Sequence, residues 1–199
     1  MINKDYLKKI VTRFGLDDAK SAINPLPQRY EPKENKGTCT PEFRQQYQSV
    51  IRSLLYIMLG TFPDISYAVI KMAQFASNPS SDHMNKAKQI IHYLGSIPDL
   101  SLVFDGGSDK GIIAFCDSYW TSDKIKHKSQ TGYFFQLASA SISWQSRAQK
   151  TIAFSSTKAE YMALCDCCKQ AKWIKTLLSK LRINVRPVPL TVTIKGPSS

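Results

Sequence analysis

Between residues 100 and 194 the sequence changes texture in an order that leaves few folds open. Short apolar runs at residues 102–104, 112–115, 133–137 and 142–144 are separated by GGSDKG, by a polar basic loop and by small residues. A long helical pattern follows over residues 157–181, with Tyr161, Leu164, Cys168, Ala171, Ile174, Leu178 and Leu181 in register. One more strand is expected at residues 190–194. Strands joined by short turns predict antiparallel pairing, and a helix crossing to the last strand predicts a parallel neighbour in the same sheet. The fold class is therefore mixed α/β, an α+β sheet carrying one long helix.

The first half reads differently. An amphipathic helix is expected at residues 6–14, and the segment to residue 43 then holds Pro25, Pro27, Pro32 and Pro41, which predicts an extended linker. Helical spacing returns over residues 42–59, with Tyr47, Val50, Ile51, Leu54, Leu55 and Met58 on one face. Asp64 is placed to cap a second helix bearing Ile65, Ala68, Val69, Met72 and Ala76. Asp82 is placed to cap a third, bearing Met84, Ala87, Ile90, Ile91 and Leu94. Such stripes are core faces. The organisation predicted is residues 1–17 as a short helix, 18–43 as linker, 44–97 as a helical connection and 98–199 as the sheet domain.

At 43% hydrophobic content the chain can bury a core. Its net charge of +12 favours a polyanionic partner such as nucleic acid. No run of eighteen apolar residues predicts a membrane span, and no apolar signal core follows Met1. The cysteines, at 39, 116, 165, 167 and 168, lack zinc-ligand spacing and are read as reduced, intracellular and structural.

Two acids carry the chemistry. Asp117 follows the apolar run 112–115 and is expected at a strand end, while Glu160 is expected in the first turn of the long helix. Carboxylates presented in this way suit divalent cations held against a phosphodiester. Glu160 has a plainer reading too: Thr157-x-x-Glu160 is a capping box.

TFPDISYAV (61–69), AFCDSYW (114–120), KSQTGYFF (128–135), ISWQSRAQKTIAFSST (142–157), KAEYMAL (158–164) and AKWIKTLL (171–178) together make the chain resemble the Pol polyprotein of copia-type LTR retrotransposons. The resemblance runs from the end of the reverse transcriptase, through connecting helices, into the RNase H domain. It implies an RNase H-like fold of the retroviral integrase superfamily, and two-metal hydrolysis of RNA in RNA/DNA hybrids with Mg²⁺, or Mn²⁺ in its place. By the resemblance, Asp117 and Glu160 match metal ligands and catalytic acids. Four acids are needed, and the family commonly has a second Asp where Tyr119 stands. The third position falls at Gly196-Pro197 or Lys195, neither able to ligate, and the fourth would lie beyond Ser199. The expectation is a sheet truncated at its C-terminus and an impaired or inactive ribonuclease, located in a cytoplasmic particle or the nucleus.

Lys124, Lys126, His127, Lys128, Arg147 and Lys150 are candidate phosphate contacts, whose binding would be salt-sensitive and indifferent to sequence. Asp123 and Asp166 are assigned to solvent, as are the lysines of the long helix. Trp120, Trp144 and Trp173 are assigned to core packing rather than to base stacking. Two other roles remain open: a binding module without chemistry, and a fragment docking on intact Pol or a capsid protein through an exposed sheet edge.

Overall fold

A computed structural model of the chain describes residues 4–16, 22–28, 30–97, 102–104, 111–123, 128–183 and 188–192. It divides into two compact units, residues 1–102 and 103–199.

The first unit is helical: α1 Lys4–Arg13, α2 Pro41–Gly60, a 3₁₀ turn Pro63–Ile65, α3 Ser66–Ala73 and α4 Ser81–Ser96. Its core takes the apolar stripes read from the sequence, with Tyr47, Leu54, Ile65, Met72, Ile90, Ile91 and Leu94 fully buried, and Leu7 and Ile10 of α1 joining them. The buried Tyr47 hydroxyl donates to the Met72 carbonyl at 2.8 Å, so the polar end of that ring is satisfied.

Two expected caps move. Asp64 lies in the 3₁₀ turn and makes no cap bond; its carboxylate accepts from the Tyr93 hydroxyl at 2.8 Å. Ser80 rather than Asp82 caps α4: its Oγ accepts from the His83 amide at 3.3 Å, and His83 Nδ1 accepts from the Ser80 amide at 3.0 Å. Asp82, inside the first turn, accepts from the Tyr30 hydroxyl. His83 is fully buried and stacked on Phe75. Burial lowers its pKa, and Asp82 and the backbone at Lys33 offset this only in part.

The proline-bearing segment is extended but tied down. The Ala22 amide donates to Ser96 Oγ, Lys71 Nζ to the Tyr30 carbonyl, and Asn78 Nδ2 to the carbonyls of Asn35 and Gly37. Asn35 returns a bond to the Pro79 carbonyl.

The second unit is a four-stranded sheet with one helix: β1 Ile112–Asp123, β2 Lys128–Leu137, β3 Ala140–Ala148, α5 Ser156–Lys180 and β4 Leu190–Val192. Strand order is β3-β2-β1-β4, antiparallel among the first three, with β4 parallel to β1 as the crossover predicts. Residues 102–104 form no strand; they are irregular, and Val103 and Phe104 are exposed. β2 turns into β3 through Ala138 and Ser139, both at positive φ (49° and 67°), the geometry of a tight two-residue hairpin turn.

Alternation along β1 buries Ile112, Ala114, Cys116 and Ser118 toward α5, leaving Ile113, Phe115, Asp117 and Tyr119 on the other face. The buried side of α5 is Ala159, Ala163, Cys167, Ile174 and Leu178. Three of these are small at successive i, i+4 positions, which lets the helix lie close to the sheet. The expected stripe was wrong in part: Tyr161, Cys168 and Leu181 are exposed.

Candidate functional site

β1 is an inner strand, and Asp117 sits in its middle rather than at its end, because pairing with β2 carries β1 on to Asp123. The polar residues after Asp117 do not stop the strand, since the ladder to β2 satisfies their backbone groups. Asp117 is half-buried and its Oδ1 accepts from the Ser118 amide at 2.8 Å.

Glu160 lies near the start of α5, the helix packed on the other face of β1. The N-cap of α5 is Ser155, whose Oγ accepts from the Lys158 amide at 3.2 Å. The helix therefore starts ahead of Thr157, the expected capping box does not form, and Glu160 falls in the second turn. Gln149 locks that turn to the sheet. Only 4% exposed, it donates through Nε2 to Thr131 Oγ1 at 3.0 Å and to the Ala159 carbonyl at 2.9 Å, while its amide donates to the Ser129 carbonyl at 2.8 Å. The residue beside Glu160 is thus held by β2 through a buried side chain that the sequence reading passed over.

Carboxylate oxygens are the donors that Mg²⁺ takes, and that ion keeps several waters while binding through one or two carboxylates and substrate phosphates. Asp117 and Glu160 are carboxylates of that kind, one on β1 and one on α5. Among the described residues no group of three or more His, Cys, Asp or Glu side chains is arranged to hold a metal ion.

The basic candidates separate. Lys124, Lys126 and His127 lie outside the described residues, as do Lys195 and Gly196. Lys128 opens β2, and Lys150 is exposed in the loop before α5. Arg147 is already engaged: its guanidinium donates to Asp166 on α5, which also meets Lys169 at 3.4 Å. Asp166 is accordingly no solvent residue; its carboxylate is 20% exposed. Burial pushes its pKa up, but the bonds and charges of Arg147 and Lys169 outweigh that and leave it below the ordinary carboxylate value. Lys169, Lys172, Lys175 and Lys180 are exposed, as expected.

The tryptophans also depart from expectation. Trp120 and Trp173 are 48% and 58% exposed, and Trp144 is half-buried in line with Phe134 and Phe115 on the face away from α5. Core packing takes none of them fully: Trp144 lies on the sheet face that α5 does not cover, and Trp173 lies on the exposed side of α5 itself. Cys116 and Cys167 meet between β1 and α5, where burial raises both thiols, Cys167 to about 12. No helix among the described residues is long and apolar enough to cross a membrane.

No protein-family model matches the chain, and no solved structure matches it. Among curated proteins it is 34% identical, over 90% of its length, to the retrovirus-related Pol polyprotein from transposon TNT 1-94 of Nicotiana tabacum. It is 31% identical, over 93%, to the Pol polyprotein from transposon RE2 of Arabidopsis thaliana. It spans only 14% and 13% of those two relatives. A shorter relative, secreted RxLR effector protein 161 of Plasmopara viticola, is 35% identical over 64% of the chain and is covered to 90% of its own length. The motifs that place carboxylates on β1 and α5 thus lie within a likeness running along nearly the whole sequence, and the chain belongs to the retrovirus-related Pol polyproteins of copia-type transposons.

Proposed function

We propose that the sheet unit is an RNase H-like module that engages RNA/DNA hybrids, with Asp117 and Glu160 as its metal-binding carboxylates. The observation that carries this reading is their placement. One acid lies on an inner strand, and the other lies on the helix packed against that strand, in a turn where it caps nothing. Asp117 and Glu160 would hold Mg²⁺ or Mn²⁺, which would supply an activated water and charge for the leaving oxygen.

The chain's own residues do the rest. Gln149 and Ser155 fix the first turn of α5, which leads into Glu160. Lys128 and Lys150 neutralise backbone phosphates, and the net charge of +12 draws the polyanion in. Arg147 takes a structural part here, tying β3 to α5 through Asp166.

Four carboxylates complete such a site in the family resemblance, and two are identified in this chain. Strong hybrid binding with hydrolysis that is slow or absent is the expected behaviour of the chain by itself. The test is cleavage of an end-labelled RNA/DNA hybrid in Mg²⁺ and in Mn²⁺, beside Asp117→Asn and Glu160→Gln. Residual cleavage lost in both variants supports the reading, as does metal-strengthened hybrid binding that both variants lose. Cleavage that persists in Asp117→Asn, or hybrid binding indifferent to metal and to both variants, would overturn it.

A further inference from the structure

The aromatic side chains around the start of α5 form a second surface that hydrolysis does not use. Trp120 is 48% exposed, and its indole Nε1 donates to the Ala153 carbonyl at 3.1 Å. Phe154, the next residue, is 84% exposed, and Lys158 Nζ lies 5.0 Å from its ring centroid. Tyr161, 67% exposed, follows Lys158 at the i+3 position on the same helix face. The rings are thus gathered at one end of α5: Trp120 bonds the residue before Phe154, Phe154 meets Lys158, and Tyr161 lies one helical turn beyond Lys158.

A phenyl ring this open gains almost nothing from the hydrophobic effect. Nor is its position left to chance. Phe154 stands between a carbonyl held by Trp120 and the N-cap Ser155, so its backbone is fixed on both sides. Rings held in place with open faces suit planar ligands or apolar protein surface, and the neighbouring charge decides between these. Lys158 is exposed beside the Phe154 ring and Lys150 is exposed in the loop that leads to it, Glu160 is the sole acid in residues 149–161, and the whole chain carries +12. A cation among exposed rings matches a strand that offers phosphates and bases together.

We propose that Trp120, Phe154 and Tyr161 form a stacking platform for unpaired bases of a nucleic-acid strand, with Lys150 and Lys158 contacting its phosphates. The platform needs neither a metal nor the two carboxylates, so it stands or falls apart from the hydrolytic reading.

The test is fluorescence anisotropy without divalent cations, using labelled oligothymidine and an abasic oligonucleotide of equal length and charge. Oligothymidine should bind roughly tenfold or more tightly than the abasic strand for each base stacked. Phe154→Ala should remove about tenfold of that preference and leave abasic binding unchanged. Because Phe154 makes little burial, this variant should keep the parent's circular dichroism, and Tyr161→Ala supplies an independent check. Lys150→Gln and Lys158→Gln should weaken both probes and flatten the salt dependence. Equal affinity for the two probes would reduce the surface to phosphate contact and overturn the platform. Self-association lost in Phe154→Ala, with oligonucleotide binding untouched, would also overturn it and assign the rings to a protein partner.

Discussion

The helical unit and the sheet unit use apolar residues in opposite ways. In the helical unit, nearly every stripe read from the sequence ends in one core built of large side chains, from Tyr47 and Leu54 to Ile90 and Leu94. In the sheet unit the core beneath α5 is small, made of Ile112, Ala114, Cys116, Phe135, Cys167, Ile174 and Leu178. Its larger aromatics lie elsewhere: Phe115, Trp120, Phe154 and Tyr161 are all at least 40% exposed. A unit that spends its aromatic residues on core gains stability, whereas one that leaves them outside has surface for a ligand. The difference teaches that the two units draw to different extents on large side chains for their cores.

The sharpest way to break the comparison is to open the larger core. Leu54→Ala should cost about 2–5 kcal/mol, because the side chain is fully buried and the site cannot collapse. Hydrogen exchange should then quicken in α2, α3 and α4 and stay unchanged in β1, β2 and β3. Faster exchange spread evenly over both units would show that they do not hold their stability separately.

Acid should separate the units next. His83 has a folded-state pKa below its ordinary value, about 6.5. The unfolded chain binds that proton first, so stability falls as pH drops below about 6.5, down to the folded value. Asp166 is shifted the same way from a lower start. Its contribution is present above the unfolded carboxylate pKa, about 3.9, and is lost as pH falls through the folded value. The helical unit should therefore weaken first on acidification. His83→Phe should remove its response near pH 6, and Asp166→Asn should cost the sheet unit about 1–2 kcal/mol at neutral pH and nothing below both carboxylate values. Both responses are read by denaturant melts across the pH range.

The start of α5 gives the smallest effects. Ser155→Ala should cost about 1 kcal/mol through the lost cap, while Glu160→Ala should cost close to nothing. A matching loss from Glu160→Ala would restore the capping role and remove the case for a functional carboxylate.

The positions of α2, α4 and α5 were legible to within a residue or two, because periodicity in Tyr47 to Met58 or Met84 to Leu94 reports the buried face directly, while α3 ends at Ala73, short of the expected Ala76. Caps were not. NPSSDH and FSSTKAE each offer several capping side chains in a row, and the path of the entering chain selects Ser80 and Ser155 over Asp82 and Thr157. The length of β1 was hidden because Ser118 to Asp123 look like a loop, and only pairing with β2 keeps them in the sheet. On α5 the signal was present but small: Ala159, Ala163 and Cys167 repeat every four residues, yet a search for large apolar residues chose Tyr161 and Cys168 instead. The placing of Asp117 on a strand and of Glu160 near the start of the long helix was legible from their motifs. Gln149 was not, since a buried glutamine between two basic residues reads as surface until its partners are known.

The most direct test of the central claim is Mn²⁺ titration of the ¹⁵N-labelled chain, read as paramagnetic broadening of amide signals. The account predicts that signals around Asp117 on β1 and Glu160 on α5 broaden together at the lowest Mn²⁺, and that Asp117→Asn abolishes the effect at both. Broadening scattered over exposed acids such as Glu42 and Asp5, with β1 and the start of α5 unaffected, would contradict it.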